Sequence, residues 1–353
     1  MEAVQITNFV SSISEIQPSI IPRPRNPQRG EVLIRVHYAA VNYVDLLYAK
    51  GKHQNNRTLI QPPFTLGLEF SGVIVSLGII DDQKEEHDNA LKIGDHVFGS
   101  GIGAYAEFIL VSKRAIRRVP QGWSLGDAAT LAATATVAYG AISARAQAKK
   151  GEIALIHGAA GGIGAYACQI AKALGLRVIA GVRNKGDDDK MRFLTDLECV
   201  DGIVQTSQDG RWEDEVMNMT SGNGVDIVID TVGLVRRSIR TLKPLGGRIV
   251  VVGFAGRDDK SIESIPMNAV LLRQAQLLGY RYGATDRINP EETRQIHDGL
   301  MSLIEKGLIK PVTYKRNYSG IHDITQALLD LESRETWGKI VVSITPDELK
   351  ASL

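Results

Sequence analysis

The chain has little cysteine: only Cys168 and Cys199 in 353 residues. Two thiols build neither a disulfide framework nor a four-cysteine metal lobe, and unpaired thiols fit a reducing compartment. An excess of charge is missing too. With 41 Lys and Arg against 40 Asp and Glu, no net field points to nucleic acid or a membrane surface as partner. No apolar run approaches the roughly 20 residues that cross a bilayer. The opening Met1-Glu-Ala-Val-Gln shows no basic stretch followed by an apolar segment, so no signal peptide is expected and a cytoplasmic location is. No internal repeat or low-complexity tract occurs. The length exceeds one comfortable core, so two domains are expected.

What is present is a complete βαβ unit. Residues 153–180 run from an apolar strand through a glycine turn into an amphipathic helix and a second apolar strand. The turn holds Ala159, Ala160, Gly161, Gly162, Ile163 and Gly164. Glycines there let a pyrophosphate approach the backbone, and the helix start offers free N–H groups and its positive dipole end. Glycine spacing alone is weak, but both strands and the helix supply the confirming context for dinucleotide binding.

The end of the second strand bears on which dinucleotide. A site for NAD usually places Asp or Glu there, to take the ribose hydroxyls. This chain runs Gly181-Val-Arg183-Asn-Lys185-Gly186, with the first acid at Asp187. Arg183 and Lys185 can pair with a 2′-phosphate that a carboxylate would repel, so NADPH is the expected cofactor. The plainer reading makes both ordinary solvated loop charges.

The rest of the chain sorts into two kinds of segment. Residues 1–120 are β-rich, with β-branched runs at 31–38 and 70–77. The polar run 81–89 reads as a solvated loop, and the Ala- and Thr-rich stretch 124–148 as a closely packed helix. Strands at 177–180, 202–205, 225–230 and 248–253 alternate with helical segments, which predicts a doubly wound parallel sheet. Residues 276–282 read as its last strand, 290–306 and 321–333 as helices, and 339–343 as a strand returning to the first domain.

Several blocks carry a family resemblance. They are Val41-Asn42-Tyr43-Val44-Asp45, Gly51-Lys52-His53, Pro63-Phe64-Thr-Leu-Gly67-Leu-Glu69-Phe-Ser-Gly72, Gly94-Asp95-His-Val97, the glycine loop, Asp230-Thr-Val-Gly233, Gly246-Gly247 through Gly253-Phe-Ala, Ile265-Pro-Met-Asn268 and Gly338-Lys339. In this order they resemble the zinc-independent medium-chain dehydrogenase/reductases, within them the NADPH:quinone oxidoreductase (zeta-crystallin-like) family. The resemblance implies an α/β fold: a GroES-like β-rich catalytic domain at 1–124 and 287–353, and a Rossmann doubly wound parallel-sheet nucleotide domain at 125–286. It implies NADPH held by Asn42, Thr134, residues 159–164, Arg183, Lys185, Val232, Gly233, Gly253, Phe254, Ala255 and Lys339. It also implies a homodimer, paired through the strand at 276–282.

The same resemblance frames the chemistry. Zinc-using relatives place a cysteine where this chain has Asn42, a histidine where it has Leu68 and a second cysteine near Ala133, so no metal is expected. Without a Lewis acid the expected reaction is hydride transfer to a quinone or another conjugated carbonyl, where conjugation spreads the developing charge. Enone or enoyl-thioester reduction is the alternative. A non-catalytic NADPH-binding protein is a third class, and a zinc alcohol dehydrogenase the competing enzyme. Catalytic candidates are Asn42, Tyr48 and His53. His53 stands where related enoyl reductases often carry a tyrosine proton donor, and an imidazole can also donate near neutral pH. Tyr48 and Tyr139 are candidates for lining the substrate cleft. Each has a plainer reading: Asn42 as a turn residue, His53 as an exposed loop histidine, Tyr48 and Tyr139 as half-buried core. Asp45 is a further functional candidate, with the plainer reading that it fixes the local turn or caps the helix that follows.

Overall fold

The computed structural model describes residues 1–53, 60–79, 91–206, 210–256 and 264–345. The polar run at 81–89 lies outside them. The chain forms two units: Met1–Ala133 together with the segment from Thr313 on, and Thr134–Val312.

The first unit is built on an antiparallel sheet. Its elements are β1 (Glu31–Ala40), α1 (Tyr43–Ala49), β2 (Glu69–Leu77), β3 (His96–Ser100), β4 (Phe108–Ser112) and β5 (Ile116–Arg118). Strand β1 is the hub, pairing with β2, with β4 and with the returning strand Val341–Ser343. Val32, Ile34 and Val36 on it are fully buried, packing with Val4, Phe70, Tyr105 and Leu328. Each such side chain contributes about 1.5–3 kcal/mol. The return predicted for 339–343 is therefore real, with Val341 opposite Ala40.

The second unit holds α2 (Thr136–Gly140), β6 (Ile153–His157), α3 (Gly162–Ala173), β7 (Arg177–Val182), α4 (Asp188–Asp196), β8 (Gly202–Gln205), α5 (Trp212–Met219), β9 (Ile227–Asp230), β10 (Arg248–Val251), α6 (Met267–Arg273), β11 (Gln276–Gly279), α7 (Tyr282–Ile288) and α8 (Pro290–Glu305). The strands form one parallel sheet in the order β8-β7-β6-β9-β10-β11. The order reverses between β6 and β9, the place where open α/β sheets bind ligands beyond their carboxyl ends. This is the doubly wound nucleotide sheet, and with the β-rich first unit it gives the α/β class the sequence implied.

Three sequence expectations are revised. The last strand stops at Gly279 rather than 282: Tyr280 turns into the core and Tyr282 opens α7. The 124–148 stretch is not one regular helix, because π-helical turns at Leu131–Ala135 and Ala141–Arg145 flank α2. The unit breaks fall at 133/134 and 312/313, against 124/125 and 286/287 from the sequence. The shift of the second break, from 286/287 to 312/313, has a packing cause. A Cβ on Gly299 of α8 would lie 2.1 Å from the Tyr139 hydroxyl, so α8 lies directly against α2 and stays with the nucleotide sheet.

Candidate active site

The glycine loop forms where the sequence placed it, between β6 and α3. Gly161 is the N-cap of α3 with extended backbone (φ −85°, ψ 170°). Gly161 is exposed and Gly162 and Ile163 are half-buried, so the first helical amides, which have no intrahelical acceptor, face outward. A Cβ on Gly164 would sit 2.1 Å from the Gly158 carbonyl oxygen, so only glycine lets the helix start this close to the loop. Ala159 and Ala160 are buried beneath, and the Ala159 N–H donates to the Gly181 carbonyl at 3.1 Å. A helix N-terminus of this kind fits a dinucleotide pyrophosphate.

Two neighbouring loops complete this side. The buried carboxylate of Asp230 accepts from the backbone N–H groups of Val232 (2.9 Å), Gly233 (2.8 Å) and Leu234 (2.6 Å). The Ala255 N–H donates to the Thr231 carbonyl (3.1 Å), and Thr231 Oγ1 donates to the His157 carbonyl (3.0 Å). Ala159–Gly164, Val232–Gly233 and Gly253–Ala255 are thereby gathered at the carboxyl ends of β6, β9 and β10. Below them His157 is fully buried, its Nε2 2.8 Å from the Ser238 hydroxyl, and burial lowers its pKa against the pull of Asp230. Thr134 is buried in the helical stretch that opens the unit.

Arg183 and Lys185 follow the end of β7 but are not equivalent. Arg183 is exposed, and no hydrogen bond or ion pair holds it among the described residues. Lys185 Nζ donates to Glu215 Oε1 on α5 at 2.6 Å, and its backbone N–H donates to Gln205 Oε1 at 3.1 Å.

In the first unit a buried polar cluster surrounds the start of α1. Asp45 Oδ2 accepts from the backbone N–H of Asn42 (2.8 Å) and from the Tyr105 hydroxyl (2.5 Å). Burial pushes Asp45 up to about 6, opposed by those two bonds and Lys339, with Glu69 adding to the rise. Burial and the Asp45 charge push Tyr105 well above its ordinary value, so it stays a hydrogen-bond donor.

The side chain of Asn42 turns away from this cap. Its Nδ2 donates to the Ala40 carbonyl at 3.2 Å and lies 3.4 Å from Glu69 Oε2, while Oδ1 accepts from Lys339 Nζ at 2.5 Å. Lys339 Nζ also lies 3.2 Å from Glu69 Oε2, and Glu69 Oε1 accepts from the Ala133 N–H at 2.7 Å. Both charged side chains are shielded, at 6% and 0% exposure. The donor set here does not fit a zinc ion. Among the described residues no three His, Cys, Asp or Glu side chains converge on one point. At the three positions in question stand the amide of Asn42, Leu68 and Ala133, and the cation present is the Lys339 ammonium.

Tyr48 and His53, both candidates from the sequence, also meet. Tyr48 on α1 and His53 stack with ring centroids 4.7 Å apart and planes 8° from parallel, and Phe64 meets Tyr48 edge-on at 6.5 Å. Both are half-buried, so His53 is neither a free surface loop residue nor core. Sequence reasoning missed Glu69, Tyr105 and Glu215. Glu69 alone carried a signal, as a lone charge opening an apolar strand.

An antiparallel β-rich unit and a doubly wound nucleotide unit carrying this glycine loop define a nicotinamide-dependent oxidoreductase, and the chain belongs to the medium-chain dehydrogenase/reductase family. Residues 28–121 match the alcohol dehydrogenase GroES-like domain, and 162–301 the family described as zinc-binding dehydrogenase. The latter segment contains none of positions 42, 68 and 133. Quinone oxidoreductase-like protein 2 of Mus musculus is 32% identical over 332 residues, 92% of this chain and 87% of that protein. The quinone oxidoreductase of Homo sapiens is 29% identical over 317 residues, 88% of each. A mycobacterial protein solved in complex with NADPH superposes with a TM-score of 0.84 at 25% identity, covering 97% of this chain and all of that one.

Proposed function

We propose that this oxidoreductase uses NADPH to reduce conjugated carbonyl acceptors, quinones first, without zinc. Bound NADPH supplies the hydride. The observation that carries the reading is the Asn42–Lys339–Glu69 cluster. An organic cation, the Lys339 ammonium, occupies the polar centre of the catalytic unit, and Asn42, Leu68 and Ala133 stand where the zinc-using relatives carry ligands. A conjugated acceptor spreads its own developing charge and needs no Lewis acid.

The chain's residues then bind and orient. The α3 amides take the pyrophosphate, and Asp230 holds the 232–234 backbone in place. Arg183 favours a 2′-phosphate over a bare ribose. The quinone oxidoreductases among the relatives support the acceptor class. Oxidation of NADPH, followed by absorbance across quinones, enones and enoyl thioesters, tests the reading. Enone reduction is the second reading, favoured by the Tyr48–His53 stack, which holds a proton donor against an aromatic face.

The partner we propose is a second copy of this chain. Strand β11 ends the sheet order, and Met267, Leu271 and Leu272 on the preceding α6 are more than two-thirds exposed. An open apolar edge of this kind invites a paired strand. Sedimentation at micromolar concentration gives a dimer under this reading and a 38.4 kDa monomer against it. No helix among the described residues is long and apolar enough to cross a membrane. The two buried free thiols, both pushed up by burial, suit the cytoplasm.

A further inference from the structure

We propose that Glu215 is a specificity-determining residue for the cofactor: it holds Lys185 away from the 2′-phosphate and leaves that group to Arg183. The inference rests on the NADPH reading above and adds a residue that opposes it. Two cations follow β7, at the strand end where an open nucleotide sheet meets the adenosine ribose. Only one stands outside an ion pair among the described residues, with Asp187 within electrostatic reach of it. Lys185 Nζ lies 2.6 Å from Glu215 Oε1 on α5, whereas no hydrogen bond or ion pair holds Arg183 among the described residues.

The local structure fixes this division. Glu215 lies in the first turn of α5, where an acid is favoured by the helix dipole. The Lys185 backbone is tied to Gln205 Oε1, and the Gly186 N–H donates to Asn184 Oδ1 at 2.9 Å, so the 184–186 turn presents Lys185 toward α5. Asp187 does not compete for Lys185, because it caps α4 and pairs with Lys190 at 2.9 Å. Glu215 therefore holds one cation in an ion pair on α5, away from the 2′-phosphate. This weakens binding of a 2′-phosphate and leaves a 2′-hydroxyl untouched.

The pair is half-exposed, with side chains 36% and 41% accessible, which sets the size of the effect. Exposed pairs of this kind are worth up to about 1 kcal/mol, or roughly two- to five-fold in affinity.

The test is a four-member cycle on the full chain: wild type, Glu215→Gln, Lys185→Ala and the double variant. Dissociation constants for NADPH and NADH come from fluorescence titration. Glu215→Gln is expected to tighten NADPH about two- to five-fold and leave NADH unchanged, with most of the gain lost when Lys185 is Ala. Lys185→Ala alone is expected to change NADPH less than two-fold. An unchanged NADPH affinity in Glu215→Gln overturns the proposal, and so does an equal gain with and without Lys185. Glu215→Asp keeps the charge and is expected to behave as wild type, which separates the charge effect from damage to α5. A wild-type preference for NADH overturns the cofactor reading instead, while the 215–185 coupling is still read from the cycle.

Discussion

Nζ of Lys339 lies 2.5 Å from Oδ1 of Asn42, joining residues 297 positions apart in the chain. The bond exists because Val341–Ser343 returns to pair with the end of β1, which carries Lys339 in beside Asn42. Asn42 is thereby fully engaged: its amide group faces Ala40 and Glu69, its oxygen faces the ammonium. Any role for Asn42 toward a cofactor or substrate is exercised through an amide whose orientation Lys339 sets.

Replacing Lys339 with Met should be costly. The change leaves Glu69 buried without its cation, and removing one partner of a buried pair costs about 3–5 kcal/mol. The double change Lys339→Met with Glu69→Gln should recover much of that loss. Urea unfolding of the wild type and both variants measures it, and equal losses in the single and double variants would show that the pair is not coupled.

Asp45 gives the fold a pH dependence. Its folded value of about 6 lies above the ordinary 3.8, so between those values the native state holds a proton that the unfolded chain has released. Stability from this group is therefore full at low pH and falls as pH rises through the folded value, by on the order of 1–3 kcal/mol. Asp45→Asn, which stays neutral, should gain on the wild type between about pH 4 and pH 7. Thermal midpoints of both proteins at the two pH values check this, and an unchanged gap would count against it.

Much of this was legible in the sequence, and the gaps have physical causes. The β-branched runs marked β1, β2 and the parallel strands, because pleated, buried surfaces select those side chains. The glycine loop was legible because close backbone approach excludes a Cβ. The π-helical turns beside α2 leave no mark in an Ala- and Thr-rich run. The placement of α8 depends on Gly299 meeting Tyr139, a contact across many residues that no local pattern records. Glu215 is one acid among three in the first turn of α5, and nothing in its neighbours names Lys185. Tyr105 is a half-polar side chain whose partner, Asp45, is set by tertiary packing alone.

His53 carries the prediction about protonation. If its imidazole supplies the proton to the α-carbon, His53→Phe keeps the stacked ring against Tyr48 and should slow enone reduction about 10²–10⁴-fold. Quinone reduction should suffer less, because the reduced oxygens can take protons from water. NADPH affinity should stay within a few-fold. Wild-type enone rates in the variant across pH would assign the proton to solvent.

Gly164→Ala tests the loop geometry. The added Cβ meets the Gly158 carbonyl oxygen at 2.1 Å, so the loop or the helix start must move. Affinity for NADPH and NADH should fall together, by about tenfold or more, equivalent to about 1.4 kcal/mol. Titration with both cofactors measures this. A loss confined to NADPH would contradict the assignment of the loop to the pyrophosphate.

NADPH oxidation with a quinone, by protein that has been treated with a chelator and assayed for metal, tests zinc-independent turnover most directly. Turnover undiminished by chelation, no stoichiometric zinc and higher activity with NADPH than NADH are expected. Bound zinc whose removal abolishes turnover, or NADPH binding without oxidation by any quinone, enone or enoyl thioester, would contradict this reading.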